Sequence, residues 1–333
     1  MANTPLIVGS AALSNGKVAV LLGDTDTTTI SSNTYTTFDH LQVAILSPGG
    51  SAGLNDANAL SFPSGGSPNG VFGDPTGGGA IAAMPGGGMA IETWGSSNND
   101  YYVQILSNSG GVTVAPFVVG SANGPDGPFN TIGNIGAWTG GLVAAWNSSD
   151  ETVTQFQRLT NTGATSGSTI TLAPGTGAQD PDGTPPYTWE GSMAVDSQGD
   201  VIFSFAAGDV YTSTKYLEYN SANQLVGSGT LGEKEGSVAF VATPGGGFVT
   251  AYYTPTGAWN ESLGRYPGFN LTIQTISSSG AVTTVKTVAN AVGAGQQPST
   301  NNLAVSSNGT FVFQESGQTA YDSYDLSTNT LTR

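Results

Sequence analysis

The sequence predicts an all-β chain built from one repeated four-stranded unit, and three observations carry that expectation. The first is composition. Glycine makes up 49 of 333 residues, about twice the usual share, whereas charged residues are only 9% against the usual quarter. Helical bundles and coiled coils rely on charged helix formers, so this composition excludes them. The second observation is a small-residue turn followed by an apolar strand, which recurs six times. The third is a further strand after each copy that ends in turn chemistry.

The turn-strand copies are Asn15-Gly16 to Leu22, Gly87-Gly88 to Trp94, Gly140-Gly141 to Trp146, Gln198-Gly199 to Phe205, Gly246-Gly247 to Tyr253 and Asn308-Gly309 to Gln314. With Gly16, Gly88, Gly140, Gly199, Gly247 and Gly309 as markers, the separations are 72, 52, 59, 48 and 62 residues. Self-similarity over tens of residues marks repeat architectures, and uneven spacing places variable loops on a constant scaffold.

A short Ala- and Gly-rich strand precedes each turn, as in Ile7 to Leu13, Gly79 to Met84 and Gly236 to Ala242. Small side chains suit strands crowded about an axis. The strand after each copy, such as Val43 to Ser47, Val103 to Asn108, Phe156 to Asn161, Leu217 to Ser221 and Ile273 to Ser277, closes in Ser, Thr, Asn or Gly. A fourth strand follows, as in Val112 to Val119 and Val282 to Val288. Four antiparallel strands in each of six units predict a single domain over 1–333, an all-β six-bladed β-propeller. Its blades are expected near 5–64, 77–121, 130–175, 188–232, 235–290 and 298–333. Trp94, Trp146, Phe205 and Tyr253 align at the end of the second strands and are expected to pack between blades.

Charge and rare residues exclude several functions. Seven Lys and Arg against 23 Asp and Glu give a net charge of −16, and no basic cluster interrupts it, which argues against nucleic acid and anionic membranes. The absence of cysteine removes disulfides and thiolate zinc sites, and a single histidine, His40, removes multi-histidine metal sites. No apolar run approaches about 18 residues, and the start of the chain lacks the basic flank and apolar stretch of a secretory signal. A monomer without membrane insertion is expected.

The Gly-Gly-Phe-Val-x-x-Tyr/Trp unit followed by x-Gln-x-Ile/Leu-Ser-x-x-Gly is clearest in 244–280, 85–111 and 139–163. It resembles repeats of large secreted bacterial proteins of the type I (RTX-like) exporters. The resemblance spans the chain at scaffold level and implies a secreted or surface-exposed bacterial propeller. The Gly-Gly-x-Gly-x-Asp calcium nonapeptide of that class is absent from this sequence.

Short turns join strands one to two and three to four, so they share one face. The long connections share the other: 23–37, 95–100, 147–152, 206–213 and 254–268 within blades, and 63–78, 120–131, 174–190, 232–235 and 290–301 between them. Function usually rides on variable loops over a rigid scaffold, which makes the long-loop face the expected site. Phe129, Tyr187, Trp189 and Trp259 fall there as rings on which a sugar could stack. Asp126, Asp180 and Asp182, in two Pro- and Gly-rich segments, are oxygen ligands suited to calcium.

Glu190 and Glu235 precede Gly-Ser at the entrance to successive innermost strands, where a pair of carboxyls can serve as general acid and base on a glycosidic bond. Arg265 and Tyr266 in the longest late loop supply the cation and proton-transfer group that a polysaccharide lyase needs. The leading expectation is a glycan-binding adhesion or matrix module with calcium as a possible cofactor. Alternatives are a hydrolase or lyase acting on polysaccharide with Glu190, Glu235, Arg265 and Tyr266, or a structural, protein-binding propeller.

Overall fold

A computed structural model of the chain describes residues 6–30, 33–47, 58–59, 79–95, 100–121, 134–147, 154–172, 193–207, 213–232, 238–243, 245–258, 260, 262, 266–292, 303–305, 310–313, 322–325, 327–328 and 330–332. These residues form 24 strands in six antiparallel sheets, each a meander of four consecutive strands. The chain divides into two compact units, 1–173 and 174–333, with three sheets in each.

In the first unit the first sheet comprises β1 (Leu6–Ala12), β2 (Val18–Ile30), β3 (Asn33–Leu46) and β4 (Asn58–Ala59). The second has β5 (Gly79–Ala83), β6 (Met89–Gly95), β7 (Asp100–Leu106) and β8 (Val112–Ser121). The third has β9 (Asn134–Trp138), β10 (Gly141–Asn147), β11 (Thr154–Leu159) and β12 (Thr165–Thr171). In the second unit the fourth sheet is β13 (Met193–Val195), β14 (Val201–Ala207), β15 (Ser213–Tyr219) and β16 (Leu225–Gly232). The fifth is β17 (Val238–Ala242), β18 (Phe248–Pro255), β19 (Phe269–Ile276) and β20 (Val282–Val292). The sixth is β21 (Leu303–Val305), β22 (Thr310–Phe313), β23 (Asp322–Asp325) and β24 (Thr330–Thr332).

The first strands of successive sheets adjoin within each unit: β1 with β5 and β5 with β9, then β13 with β17 and β17 with β21. Blades of a propeller meet in this way, and the all-β propeller class is as expected. Small residues permit the approach. A Cβ on Gly9 of β1 would lie 3.1 Å from Ile81 of β5, and one on Gly79 would lie 3.1 Å from Leu21 of the first sheet.

The expectation of six equivalent blades is corrected: regular four-stranded blades number five, and the first sheet departs from the pattern. Among the described residues its β4 has two residues and meets β3 at Gln42 and Val43. Its β2 and β3 instead extend to 13 and 14 residues as one long hairpin, paired from Val18–Leu46 to Ile30–Asn33. Residues 23–37 are therefore mostly strand, not the loop expected. The reason is local, because β-branched Thr25, Thr27 to Thr29, Ile30, Thr34, Thr36 and Thr37 favour extended backbone over a loop.

Among the described residues one turn geometry recurs eight times. In 13–17, 84–88, 107–111, 160–164, 196–200, 220–224, 243–247 and 277–281, the first residue's N–H donates to the fifth carbonyl and the fourth N–H donates back to the first carbonyl. The fourth position always has positive φ; it is Asn223 in one turn and glycine in the other seven. A three-residue hairpin loop with its last residue in the left-handed region requires this choice.

The first residue of these turns explains why the third strands end in Ser, Thr or Asn. Its side-chain oxygen accepts the amide four residues on, from Ser107 to Gly111 (3.1 Å), Thr160 to Ala164 (3.1 Å), Asn220 to Gln224 (2.9 Å) and Ser277 to Ala281 (3.1 Å). Asp196 does the same to Asp200 at 2.9 Å. The glycine equivalent to Gly16 is Gly87 in the second sheet and Gly246 in the fifth, each one residue before the sequence marker.

The core lies between sheets. Leu21, Leu41 and Val43 of the first sheet pack with Met89, Ile91 and Leu106 of the second. Ala90, Val103 and Ile105 of the second pack with Leu142, Ala144 and Leu159 of the third. Ile202 and Tyr216 of the fourth pack with Phe248, Tyr252 and Ile276 of the fifth. The alternating pattern puts every second residue of each central strand into such a seam. Trp146 (2% exposed) and Tyr253 (2% exposed) are buried there as expected, whereas the side chains of Trp94 and Phe205 lie outside the described set.

Candidate functional site

Of the residues that the sequence singled out, Glu190, Glu235, Arg265, Phe129, Tyr187, Trp189, Trp259, Asp126, Asp180 and Asp182 all lie outside the described residues. Tyr266 lies inside them. Its ring is 6% exposed, packs edge-on against Phe269 at 5.5 Å between centroids, and belongs to the apolar cluster of Leu271, Ile273 and Tyr324. Among the described residues no group of three or more His, Cys, Asp or Glu could hold a metal ion, so the calcium expectation has no site there.

The described cleft with chemistry in it is on the short-turn face of the first unit. The first three sheets frame a groove of about 620 Å³ lined by Asn15 and Lys17, by the Gly86–Gly88 turn, by Asn108, Ser109 and Thr113, and by Asn161. Three sheets contribute, and the contributing turns are of the repeated type.

Local hydrogen bonds set each polar side chain. Asn15 Oδ1 accepts the Lys17 amide at 3.0 Å. Asn108 Oδ1 accepts the Gly88 amide at 2.8 Å, which ties the second turn of that sheet to its first. In the third sheet Asn161 makes the corresponding tie in the opposite sense, its Nδ2 donating to the Thr139 carbonyl at 3.1 Å. Ser109 shares a hydroxyl contact with Ser107 at 2.9 Å, and Thr113 Oγ1 donates to the Ile105 carbonyl at 3.0 Å.

Each amide thus has one end anchored on backbone and the other end left over. Asn15 and Asn108 present NH2 donors and Asn161 presents a carbonyl acceptor, held by rigid turns with little rotamer freedom to lose on binding. Lys17, half-buried, adds the only positive charge in this lining. The groove can therefore exchange hydrogen bonds with a neutral, hydroxyl-rich molecule, but it has no pair of acids with which to cleave one.

Sequence reasoning looked to the long loops for function and did not single out this groove. A usable signal was present: Asn directly follows the capping Ser or Thr in Ser107-Asn108 and Thr160-Asn161, at the same turn position of neighbouring blades. Short turns carry no such signal one by one, because nothing in sequence shows that turns of three sheets come together.

Two buried carboxyls also escaped notice. Glu92 of β6 is fully buried at the seam with the third sheet, and neither of its oxygens has a hydrogen-bond partner. Burial holds its pKa well above the ordinary carboxylate value, eased only in part by the nearby Ala145 amide. Glu218 of β15 is likewise fully buried and unpartnered. No helix among the described residues is long and apolar enough to cross a membrane.

No family model matches the chain, and no curated protein sequence matches it. Solved structures do resemble it in fold. Hydrazine synthase of Kuenenia stuttgartiensis superposes with a TM-score of 0.55 at 12% identity, over 97% of this chain and 78% of that one. Puromycin hydrolase gives 0.51 at 11% identity over 98% of this chain, which spans 46% of the hydrolase. An oligogalacturonate lyase in complex with manganese gives 0.47 at 12% identity, over 100% of this chain and 84% of that one. At these identities the likeness to the first two shows the fold alone.

Proposed function

We propose that the protein is a carbohydrate-recognising propeller, secreted or displayed at a cell surface, that acts as an adhesion or matrix module and binds through the short-turn groove of its first unit. One observation carries the reading: Asn15, Asn108 and Asn161 come from three adjacent sheets, each is anchored to backbone by one end of its amide, and all three line the same groove. Sugar hydroxyls are both donors and acceptors, and fixed amides answer both roles. The chain's net charge of −16 favours ligands that are not polyanions, while Lys17 leaves room for one acidic substituent.

A glycan array of neutral and singly acidic oligosaccharides tests this. Binding is expected for the wild-type chain and is lost in Ser109→Trp, which adds bulk to the groove from an exposed turn position without touching the core. Absence of binding to every glycan, or binding unchanged by Ser109→Trp, overturns the proposal.

A further inference from the structure

The seam between the fourth and fifth sheets holds a group that glycan binding does not use. Glu218 is fully buried and both its carboxyl oxygens lack hydrogen-bond partners. Counted back from the capping residues Ser107, Thr160, Asn220 and Ser277, its position matches Ile105, Arg158 and Thr275 in the other sheets. The second sheet fills that place with an aliphatic chain. The third fills it with a guanidinium stacked 5.3 Å from the ring of Trp138 and 5.8 Å from that of Phe156. The fourth puts a carboxyl there.

Its surroundings are tight and contain further acids. Glu218 pairs in register with Gly227 of β16, and a Cβ on Gly227 would lie 2.8 Å from Glu218 Oε2 and 2.8 Å from Gly280 Cα of the fifth sheet. A Cβ on Gly280 would in turn lie 2.6 Å from Gly227 Cα, so the two backbones touch directly beside the carboxyl. From its own strand Tyr216 lies alongside, its hydroxyl donating to the Gly280 carbonyl at 3.3 Å. Asp196 and Asp200 approach from the first turn of the same sheet. The fifth sheet contributes Tyr252 to the shared apolar cluster, and β16 has no titratable residue.

We propose that Glu218 is a proton-operated latch on this seam: with its proton it lets the Gly227 and Gly280 backbones close on one another, and without it the contact loosens and water reaches the carboxylate. Burial, with Asp200 and Asp196 adding repulsion, pushes its pKa from 4.5 to about 7. Between those values the folded protein keeps a proton that the opened or unfolded chain releases. Stability of the seam therefore falls as pH rises through that window and levels off above it.

Hydrogen exchange on the full chain, corrected for intrinsic rates and read at about pH 6 and about pH 8, tests the latch. The amides of Ser277 and Gly280, which close the turn facing Glu218, should lose about tenfold protection at the higher pH, as a group with these two pKa values requires. The turn at 107–111 should not change. Glu218→Gln should abolish the pH dependence, and Glu218→Met provides the same comparison if the Gln variant does not fold. An equal loss of protection in wild type and variants overturns the proposal, as does a carbon-13 titration of Glu218 in the folded wild type with a midpoint near the ordinary value.

Discussion

Asp196 Oδ2 accepts the backbone amide of Gly247 at 2.7 Å, joining the first turn of the fourth sheet to the first turn of the fifth across 51 residues. Its Oδ1 meanwhile holds its own turn through the amides of Gln198 and Asp200, both at 2.9 Å. One buried carboxylate thus shapes a hairpin and fastens the neighbouring sheet. Hydrogen bonds to charged acceptors are about twice as strong as neutral ones.

Asp196→Ala should therefore destabilise the chain by about 2 to 4 kcal/mol, since three amides, two of them buried, lose their acceptor together. Asp196→Asn keeps one oxygen and should lose less. Chemical denaturation of the two variants beside wild type checks the order, and an Ala variant as stable as wild type would show that the tie contributes nothing.

Glu92 should behave as a stability liability. Counted from the first turns, it takes the place that Leu21 holds in the first sheet and Ala251 in the fifth, both fully buried. Its raised pKa means that the native state retains a proton the unfolded chain gives up, so its contribution worsens as pH rises above the ordinary carboxylate value. Glu92→Leu should raise the melting temperature at pH 7, and the gain should shrink toward pH 4. Glu92→Gln should flatten that part of the pH profile. Melts of the three proteins across this range decide the matter.

Two neighbouring glycines should respond in opposite ways to the same methyl group. Gly88 has φ +87, and a Cβ there would overlap the Leu106 carbonyl oxygen. Gly88→Ala should cost at least about 1 to 3 kcal/mol from backbone strain, with the clash in addition. Gly86 has nothing within 4 Å of a Cβ, so Gly86→Ala should be neutral or stabilising by up to about 1 kcal/mol. Unfolding midpoints of the pair provide the comparison.

Trp146 lies against the backbone of Gly120 of the second sheet, packs 6.3 Å from Tyr101, and donates from Nε1 to Gln155 at 3.1 Å. Trp146→Ala should cost about 3 to 5 kcal/mol by leaving a cavity at this seam. Gly120→Ala should also destabilise, because its methyl would occupy the space of the indole. The glycan binding proposed for the short-turn groove should survive in any Trp146 variant that still folds at the assay temperature.

Much of the scaffold is determined by sequence alone, because it is local. A hairpin loop of three residues needs a left-handed fourth position, and Gly16, Gly110, Gly163, Gly199 and Gly280 announce it. A short oxygen-bearing side chain must cap the same loop, and Ser107, Thr160 and Ser277 announce that. From such turns the all-β class, the four-strand meander and the inner position of the small-residue strands follow directly.

Tertiary structure decided what depends on neighbours distant in sequence. The Thr-rich stretch of 23–37 became strand because β2 and β3 found each other along their whole length, which left the first sheet unlike the other five. Glu92 and Glu218 occupy strand positions whose period says only that they face a seam, and whether a carboxyl there meets a partner depends on the adjoining sheet. The groove of Asn15, Asn108 and Asn161 exists because turns from three sheets converge on one face. Backbone conformation follows from sterics within a few residues, whereas desolvation and convergence are properties of surfaces brought together only by folding.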